Sequence, residues 1–294
     1  MLGLLTRTSK TRSLFPRLTT TQPAFTLIAR TMSSDNPSVR SNEELRASNL
    51  FSVKGFTAVV TGGGTGIGLM ITQALVANGA KVYITGRRED ALERVVEKYN
   101  SGPGSIVALP GDISSKDDVK RLAGELVSRE GKLHLLVNNA GIARDNDTRF
   151  STVGKPDFED ATSISEHMMR SQPEQWEETF RTNITAQFFT TAALLPLLAK
   201  GREITPGYTS SVVNIASISG VMKGTSGGQF AYATSKAGFI HLTRMMATTF
   251  ASAKIRVNCI APGIFPSEMT AGSSGNDQKS KLDMQLSNPA REHL

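Results

Sequence analysis

The stretch that decides the fold runs from Thr57 to Gly68 and reads Thr57-Ala-Val-Val-Thr-Gly-Gly-Gly-Thr-Gly-Ile-Gly68. Its first four residues predict a short buried strand. The glycines that follow let backbone N–H groups approach a phosphate, and the helix predicted after them adds a favourable dipole. The spacing is G-x-x-x-G-x-G, and no Lys-Ser/Thr follows, which excludes a nucleoside-triphosphatase P-loop. The stretch predicts a strand–loop–helix unit that binds a pyrophosphate, with a flexible turn as the alternative.

The same alternation of apolar run, turn and helical pattern continues to residue 260. The runs are continuously apolar, which indicates strands buried on both faces, as in a parallel sheet. The pattern predicts a doubly wound, Rossmann-like α/β fold with helices on both faces of one sheet. One segment, 142–172, is rich in Asp, Ser and Thr and is predicted to be a loop insertion that covers the ligand. The predicted strands are 57–60, 81–84, 105–109, 133–137, 211–215 and 255–260.

The composition is that of one domain, predicted at 51–294, behind an N-terminal extension over 1–50. The longest apolar stretch, 192–199, falls short of the ~20 residues that a membrane-spanning helix needs. Cys259 is the one cysteine of the 294 residues, which excludes an internal disulfide and a multi-cysteine zinc site. We expect no metal site.

The formal net charge of +7 is concentrated at the N-terminus. Residues 1–31 hold five basic residues, ten Ser or Thr and no acid. This pattern is typical of a mitochondrial transit peptide. A disordered tail without an address, and a cytoplasmic form started internally at Met32, are the alternatives. Because most of the excess charge lies in this segment, we expect neither a nucleic acid nor a membrane as partner.

The second predicted strand ends in Thr85-Gly86-Arg87-Arg88. A site for NAD needs a carboxylate here for the ribose 2′-hydroxyl, and Gly86 stands in its place. A carboxylate about 4 Å from a 2′-phosphate would repel it by roughly 4 kcal/mol at an effective dielectric constant of 20, whereas a guanidinium attracts it. The turn predicts NADP(H) as the cofactor and Arg87 as a ligand. The alternative is a solvated helix start.

Tyr232 and Lys236 lie four residues apart in a predicted helix and therefore on one of its faces. A nearby ammonium is expected to lower the pKa of the phenol towards neutrality, where general acid–base catalysis works best. An ordinary surface pair is the alternative for an isolated match. Upstream, Ser217 and Ser219 follow the fifth predicted strand, where ligands of such sheets bind.

In this order the motifs resemble the short-chain dehydrogenase/reductase family, from about residue 56 to residue 291. The matching motifs are Thr61-Gly62-x-x-x-Gly66-x-Gly68, Asp112-Ile113, Asn138-Asn139-Ala140-Gly141, Asn183, Ser217, Tyr232-x-x-x-Lys236 and Pro262-Gly263. The stretch 261–270 is similar to the 3-oxoacyl reductases of the rhamnolipid-synthesis type and their fungal relatives. The resemblance implies an NADP(H)-dependent oxidoreductase acting on a ketone or secondary alcohol, with a 3-oxoacyl thioester as a candidate.

The resemblance also implies the role of each site residue. Tyr232 would be the acid/base, Lys236 would hold the nicotinamide ribose, Ser217 would orient the carbonyl, and Asn183 would anchor a water. The implied cofactor-binding residues are Thr61, Gly62, Gly66, Ile67, Gly68, Arg87, Asp112, Ile113, Asn139, Ala140, Gly141, Tyr232, Lys236, Pro262, Gly263, Ile264 and Ser267.

Two counts compete for the serine. The usual distance to the tyrosine selects Ser219, whereas the glycine three residues on, Gly220, selects Ser217. Two extra residues within 221–230 would reconcile them, and we choose Ser217.

The C-terminal end departs from the family pattern. Family members continue after Pro262-Gly263 through a further helix and a seventh strand, and both are expected to be missing here. The strand 255–260 would then be an exposed edge, and part of the interface of the family's homo-oligomers would be absent. This expectation leaves an alternative function, a catalytically impaired NADP-binding protein that acts by association.

Overall fold

A computed structural model describes residues 47–205 and 207–282. The predicted transit peptide, the internal start at Met32 and the sequence after residue 282 lie outside these ranges and stay predictions. No helix within the described ranges is both long and apolar enough to cross a membrane.

The described residues form one parallel sheet whose strands stand in the order β3-β2-β1-β4-β5-β6. The chain starts in the middle, moves to one edge, returns to β4 beside β1 and then continues to the other edge. This reversal makes the β1/β4 junction a topological switch point, outside which a crevice for a ligand opens. The predicted doubly wound fold is thereby confirmed. The strands are β1 (Thr57–Thr61), β2 (Lys81–Thr85), β3 (Ser105–Ala108), β4 (Leu135–Asn138), β5 (Ser211–Ile215) and β6 (Arg256–Ile260).

Helices cover both faces of the sheet and bury its continuous apolar runs. Val59, Leu136 and Val212 pack into the core on one face, and Val60 and Val137 pack into the core on the other. Successive residues of a strand point to opposite faces, so strands buried on both faces need apolar residues at every position. The helices are α1 (Ala47–Leu50), α2 (Gly66–Ala77), α3 (Glu89–Tyr99), α4 (Lys116–Arg129), α5 (Phe150–Val153), α6 (Ala161–Met169), α7 (Pro173–Phe180), α8 (Ala186–Ile204), α9 (Phe230–Phe250) and α10 (Glu268–Ala271).

The prediction of a plain loop over 142–172 is wrong in part, because the segment contains α5 and α6. Asp160 caps α6 by accepting hydrogen bonds from the backbone N–H groups of Thr162 and Ser163. Buried His167 fixes its last turn through a 2.8 Å hydrogen bond to the carbonyl of Thr148. Asp, Ser and Thr are weak helix formers within a helix but good caps, so composition alone pointed to a loop.

Within the described part of the chain, β6 pairs with β5 and has no second neighbour. Ile260 at its carboxyl end is 53% exposed, and Phe265 shortly after it is 44% exposed. The expected loss of a further strand concerns residues beyond those described and stays a prediction.

Candidate active site

A cavity of about 510 Å³ opens at the carboxyl ends of the strands, at the switch point between β1 and β4. Loops from both halves of the sheet line it. The lining residues from the predicted site are Gly62, Gly66, Ile67, Arg87, Asp112, Ile113, Asn139, Ala140, Gly141, Tyr232, Lys236 and Ser267. Residues separated by up to 205 positions in the chain thus meet at one cavity.

The glycine loop forms one end of this cavity and leads directly into α2. Gly66 has a φ of +54°, a conformation that favours glycine, and a Cβ there would lie 2.9 Å from the Cβ of Ser267. Thr61 supports the loop from beneath, because its Oγ accepts hydrogen bonds from the N–H groups of Asn139 and Ala140 at 2.9 and 3.0 Å. Thr61 and Gly68 therefore shape the cavity without lining it.

Tyr232 stands in the first turn of α9, and Lys236 follows one turn later on the same face. The Nζ of Lys236 lies 5.8 Å from the centre of the Tyr232 ring and donates a 2.9 Å hydrogen bond to the carbonyl of Ile215 at the end of β5. Burial lowers the pKa of Lys236 to about 8. Both residues line the cavity, so the predicted pair is assembled.

The expectation that Lys236 lowers the pKa of Tyr232 is wrong for this structure. Burial raises the pKa of the phenol above its usual value, and the neighbouring Ser217 hydroxyl and the charge of Arg149 oppose that effect. The physical reason is that Lys236 points its ammonium at the Ile215 carbonyl, while the phenol has lost the water that would solvate a phenolate.

Ser217, and not Ser219, faces the phenol. Ser217 is buried directly after β5, its Oγ accepts a 3.1 Å hydrogen bond from the N–H of Ser219, and its hydroxyl lies near enough to Tyr232 to lower the pKa of the phenol. The Ser219 hydroxyl instead forms a 2.6 Å hydrogen bond with the hydroxyl of Ser226. Gly220 allows this turn to sit directly on α9, because a Cβ there would lie 2.6 Å from the carbonyl carbon of Lys236. The geometry supports the choice of Ser217.

Comparison with known proteins identifies the family. The family model for short chain dehydrogenases matches residues 56–278. The chain belongs to the short-chain dehydrogenase/reductase family. Over 231 residues it is 42% identical to the short-chain dehydrogenase/reductase PhomF of Diaporthe leptostromiformis, a match that covers 78% of this chain and 76% of PhomF.

Sequence and structure comparisons both also point to Pseudomonas aeruginosa. The rhamnolipids biosynthesis 3-oxoacyl-[acyl-carrier-protein] reductase is 35% identical over 234 residues, which cover 79% of this chain and 82% of the reductase. The solved RhlG/NADP active-site complex superposes with a TM-score of 0.60 at 34% identity, covering 75% of this chain and 76% of that chain. The predicted similarity to the rhamnolipid type is confirmed. Family membership does not select the cofactor, because solved relatives hold NADP in one case and NADH in another.

Asn183 of this family member holds a turn of the cavity wall. It is fully buried in a π-helical turn, Arg181–Thr185. Its side-chain oxygen accepts from the N–H of Ile142, and its Nδ2 donates to the carbonyl of Ile142 and to the Ser235 hydroxyl, each at 2.9 Å. Its amide group is thus committed to protein partners and does not line the cavity. The role of Asn183 as the anchor of a water stays a prediction.

Three of the predicted cofactor-binding residues of this dehydrogenase/reductase do not line the cavity, namely Pro262, Gly263 and Ile264. The Pro262 carbonyl accepts a 2.9 Å hydrogen bond from the N–H of Ile218, so Pro262 ties the segment after β6 to the segment after β5. Ile264 is 52% exposed. The segment reaches the cavity only at Ser267 and at the next two residues, Glu268 and Met269, which the motif did not include.

Asp145, which the sequence motifs do not include, fixes the start of α9, the helix of this family member that carries Tyr232. Its carboxylate is 2% exposed and accepts hydrogen bonds from the N–H groups of Ala231 at 2.7 Å and Tyr232 at 3.1 Å. Burial raises the pKa of Asp145, and these two donors oppose the increase. Asp145 lies 87 residues before Tyr232 in the chain. From the sequence it is only one of several acidic residues in 142–172, and nothing marks it as the partner of Tyr232.

Proposed function

We propose that the chain is an NADP(H)-dependent oxidoreductase that reduces a ketone, with 3-oxoacyl thioesters as the substrate class. One observation carries the proposal. The Tyr232 phenol, the Ser217 hydroxyl and the Lys236 ammonium converge beside a cavity that is lined by a glycine loop and an arginine-bearing turn. The assembled groups favour an enzyme over the impaired binding protein that the sequence left open.

The residues around the cavity fit a 2′-phosphorylated dinucleotide. The glycine loop and the start of α2 offer N–H groups to a pyrophosphate. At the end of β2, Gly86 supplies no acid, and Arg87 and Arg88 both line the cavity. Guanidinium groups suit a phosphate, and the missing carboxylate removes the usual ligand of a 2′-hydroxyl. When bound, NADP(H) supplies or accepts the hydride.

The residues of the chain then perform the acid–base part of the reaction. Ser217 donates a hydrogen bond to the substrate carbonyl and holds it against Tyr232. Tyr232 is neutral at pH 7, since burial raises its pKa, and can give its proton to the carbonyl oxygen. Lys236, with a pKa of about 8, is mostly protonated at pH 7 and stabilises negative charge that develops nearby.

The substrate class is proposed on two grounds. Similar proteins include the 3-oxoacyl reductase of rhamnolipid synthesis. In addition, apolar side chains are exposed on the two segments that follow β5 and β6, and an acyl chain would cover such side chains. These are Ile218, Val221, Met222, Ile264 and Phe265, between 39% and 61% exposed.

The test is turnover by the full chain with NADPH and a series of 3-oxoacyl thioesters and simple ketones, read as loss of NADPH absorbance. Tyr232→Phe should lower kcat by about 10²–10⁴-fold, the contribution of a general acid, and change the Kd for NADPH far less, because the phenylalanine ring still lines the cavity. The matched control is Tyr208→Phe. The Tyr208 hydroxyl of the wild type donates a hydrogen bond to the carbonyl of His134 at the opposite end of the sheet. Turnover that survives in Tyr232→Phe, or NADPH binding by the wild type without any turnover, would contradict the proposal.

A further inference from the structure

One ion pair joins the two sides of the cavity mouth. Arg88 donates from both terminal nitrogens to the carboxylate of Glu268, at 3.2 and 2.8 Å. Arg88 is the last residue before α3, and Glu268 is the first residue of α10. The pair, here called the Arg88–Glu268 clasp, closes a contact across 180 residues of sequence.

The clasp lies at the turn that the proposed function assigns to the 2′-phosphate. Both of its residues line the cavity. Arg88 follows Gly86, the position at which a carboxylate would otherwise hold a ribose 2′-hydroxyl. The preceding residue of the α10 segment, Ser267, packs against Gly66 in the glycine loop. The segment that carries Glu268 therefore stands over the same end of the cavity as the arginines.

The two arginines of this turn differ in their partners. Both planar nitrogens of Arg88 are engaged by a carboxylate in the fork geometry that a phosphate would also use. Arg87 has no ion pair within 4.0 Å among residues 47–205 and 207–282, and its charge acts on Glu178 only from a longer distance. One arginine is thus available to an incoming phosphate, and the other has to be taken from a carboxylate.

We infer that Glu268 is a specificity-determining residue, which competes with the cofactor 2′-phosphate for Arg88 and thereby limits the preference for NADPH over NADH. The inference rests on the proposed use of NADP(H). A phosphate brings its own negative charge beside Glu268, so the carboxylate both occupies the guanidinium and repels the phosphate. A cofactor without the 2′-phosphate has no charge to place there and leaves the clasp unchanged.

The size of the effect follows from the exposure of the clasp. The Arg88 side chain is 57% exposed and the Glu268 side chain 31% exposed, so solvent screens the pair. An exposed ion pair of this kind corresponds to a change in affinity of about two- to fivefold. This range is within reach of a direct binding titration.

The experiment measures the Kd of NADPH and of NADH by calorimetry for the full chain and four variants: Glu268→Gln, Glu89→Gln, Arg88→Ala and the double variant Arg88→Ala/Glu268→Gln. Glu268→Gln keeps the shape and removes the charge, and it should bind NADPH about two- to fivefold more tightly with no change for NADH. Glu89→Gln, in the first turn of α3 beside Arg88, is the matched control and should match the wild type. In an Arg88→Ala background the gain from Glu268→Gln should shrink, because the competition is then removed.

Two results overturn the inference and remain distinguishable. If the wild type binds NADPH but Glu268→Gln binds it equally or more weakly, the carboxylate does not compete, and the inference fails alone. If the wild type binds NADH more tightly than NADPH, or does not bind NADPH, the proposed function fails first.

Discussion

At the amino ends of the strands, the carboxylate of Glu130 accepts hydrogen bonds from Lys81, Tyr83 and Thr57, a set called here the Glu130 cluster. At the carboxyl ends of the same sheet, Tyr232 and Lys236 face a cavity of about 510 Å³. In the Glu130 cluster, burial alone would raise the pKa of Glu130, but the hydrogen bonds from Lys81 and Tyr83 outweigh it and the pKa is lowered.

The active site shows the opposite balance. Burial raises the pKa of Tyr232, raises that of Asp145 and lowers that of Lys236, so the neutral form gains in all three cases. The difference teaches that partners outweigh burial for the Glu130 carboxylate, whereas burial outweighs the partners of Tyr232, Asp145 and Lys236. Groups whose pKa values are perturbed in a cleft are suited to move protons, whereas a satisfied ion-pair cluster contributes to stability.

The largest effect on kcat is expected at the carboxyl ends of the strands, where the cavity lies. Ser217→Ala removes the hydrogen-bond donor that we propose for the substrate carbonyl and should lower kcat by about 10²–10³-fold. Ser219→Ala is the matched control, because the Ser219 hydroxyl is hydrogen-bonded to Ser226. This substitution should lower the free energy of unfolding by about 1 kcal/mol and have little effect on kcat. Steady-state kinetics on both variants decide the matter, and the reverse ranking would transfer the role to Ser219.

A smaller effect on kcat is expected from Asp145, which holds the start of the helix that carries Tyr232. Asp145→Asn keeps the shape but replaces one acceptor of the N–H groups of Ala231 and Tyr232 with a donor. A displaced Tyr232 should lower kcat by up to about 10²-fold while the Kd for NADPH stays unchanged. A kcat equal to that of the wild type would make Asp145 a purely structural cap.

The matched control for Asp145 is Asp160→Asn. Asp160 caps α6 in the same way, through two backbone N–H groups, but it is exposed and far from Tyr232 in sequence. It should lower the free energy of unfolding by about 0.5–2 kcal/mol and leave kcat unchanged. The two variants separate the loss of a helix cap from the loss of a catalytic position.

The smallest effect on activity is expected at the opposite end. Glu130→Gln should lower the free energy of unfolding by about 1–3 kcal/mol at pH 7, because it removes a charged acceptor of hydrogen bonds, and should leave kcat unchanged. The folded-state pKa of Glu130 is lowered, so its contribution is fully present above the unfolded value of about 4.3 and is lost as the pH falls through the folded value.

Urea denaturation should therefore show that Glu130→Gln has a lower free energy of unfolding than the wild type at pH 7. This difference should become smaller below about pH 4.3. Glu125 is a partly exposed acid that pairs with Arg121 and Arg129. The control Glu125→Gln should lower the free energy of unfolding by about 0.2–1 kcal/mol. A lowered kcat in Glu130→Gln would break the contrast between the two ends.

The sequence determined the features that depend on local pattern. Continuous apolar runs predicted the parallel strands. Two local motifs predicted parts of the cavity lining: the glycine loop after β1, and the pair Tyr232 and Lys236 spaced one helical turn apart. These succeeded because a strand buried on both faces and a helical face each impose a short-range period on the chain. The loop prediction over 142–172 failed because helix caps and loops share the same polar residues.

Only the tertiary structure decided which distant groups meet. Asp145 accepts a hydrogen bond from the N–H of Tyr232, 87 residues away, and Arg88 donates to Glu268, 180 residues away. The side-chain amide of Asn183 is hydrogen-bonded to Ile142. Neither the raised pKa of Tyr232 nor the Ile215 carbonyl that holds Lys236 could be predicted from residue spacing. The physical reason is that a pKa and a hydrogen bond depend on burial and on distances of a few ångströms between segments, which no local period specifies.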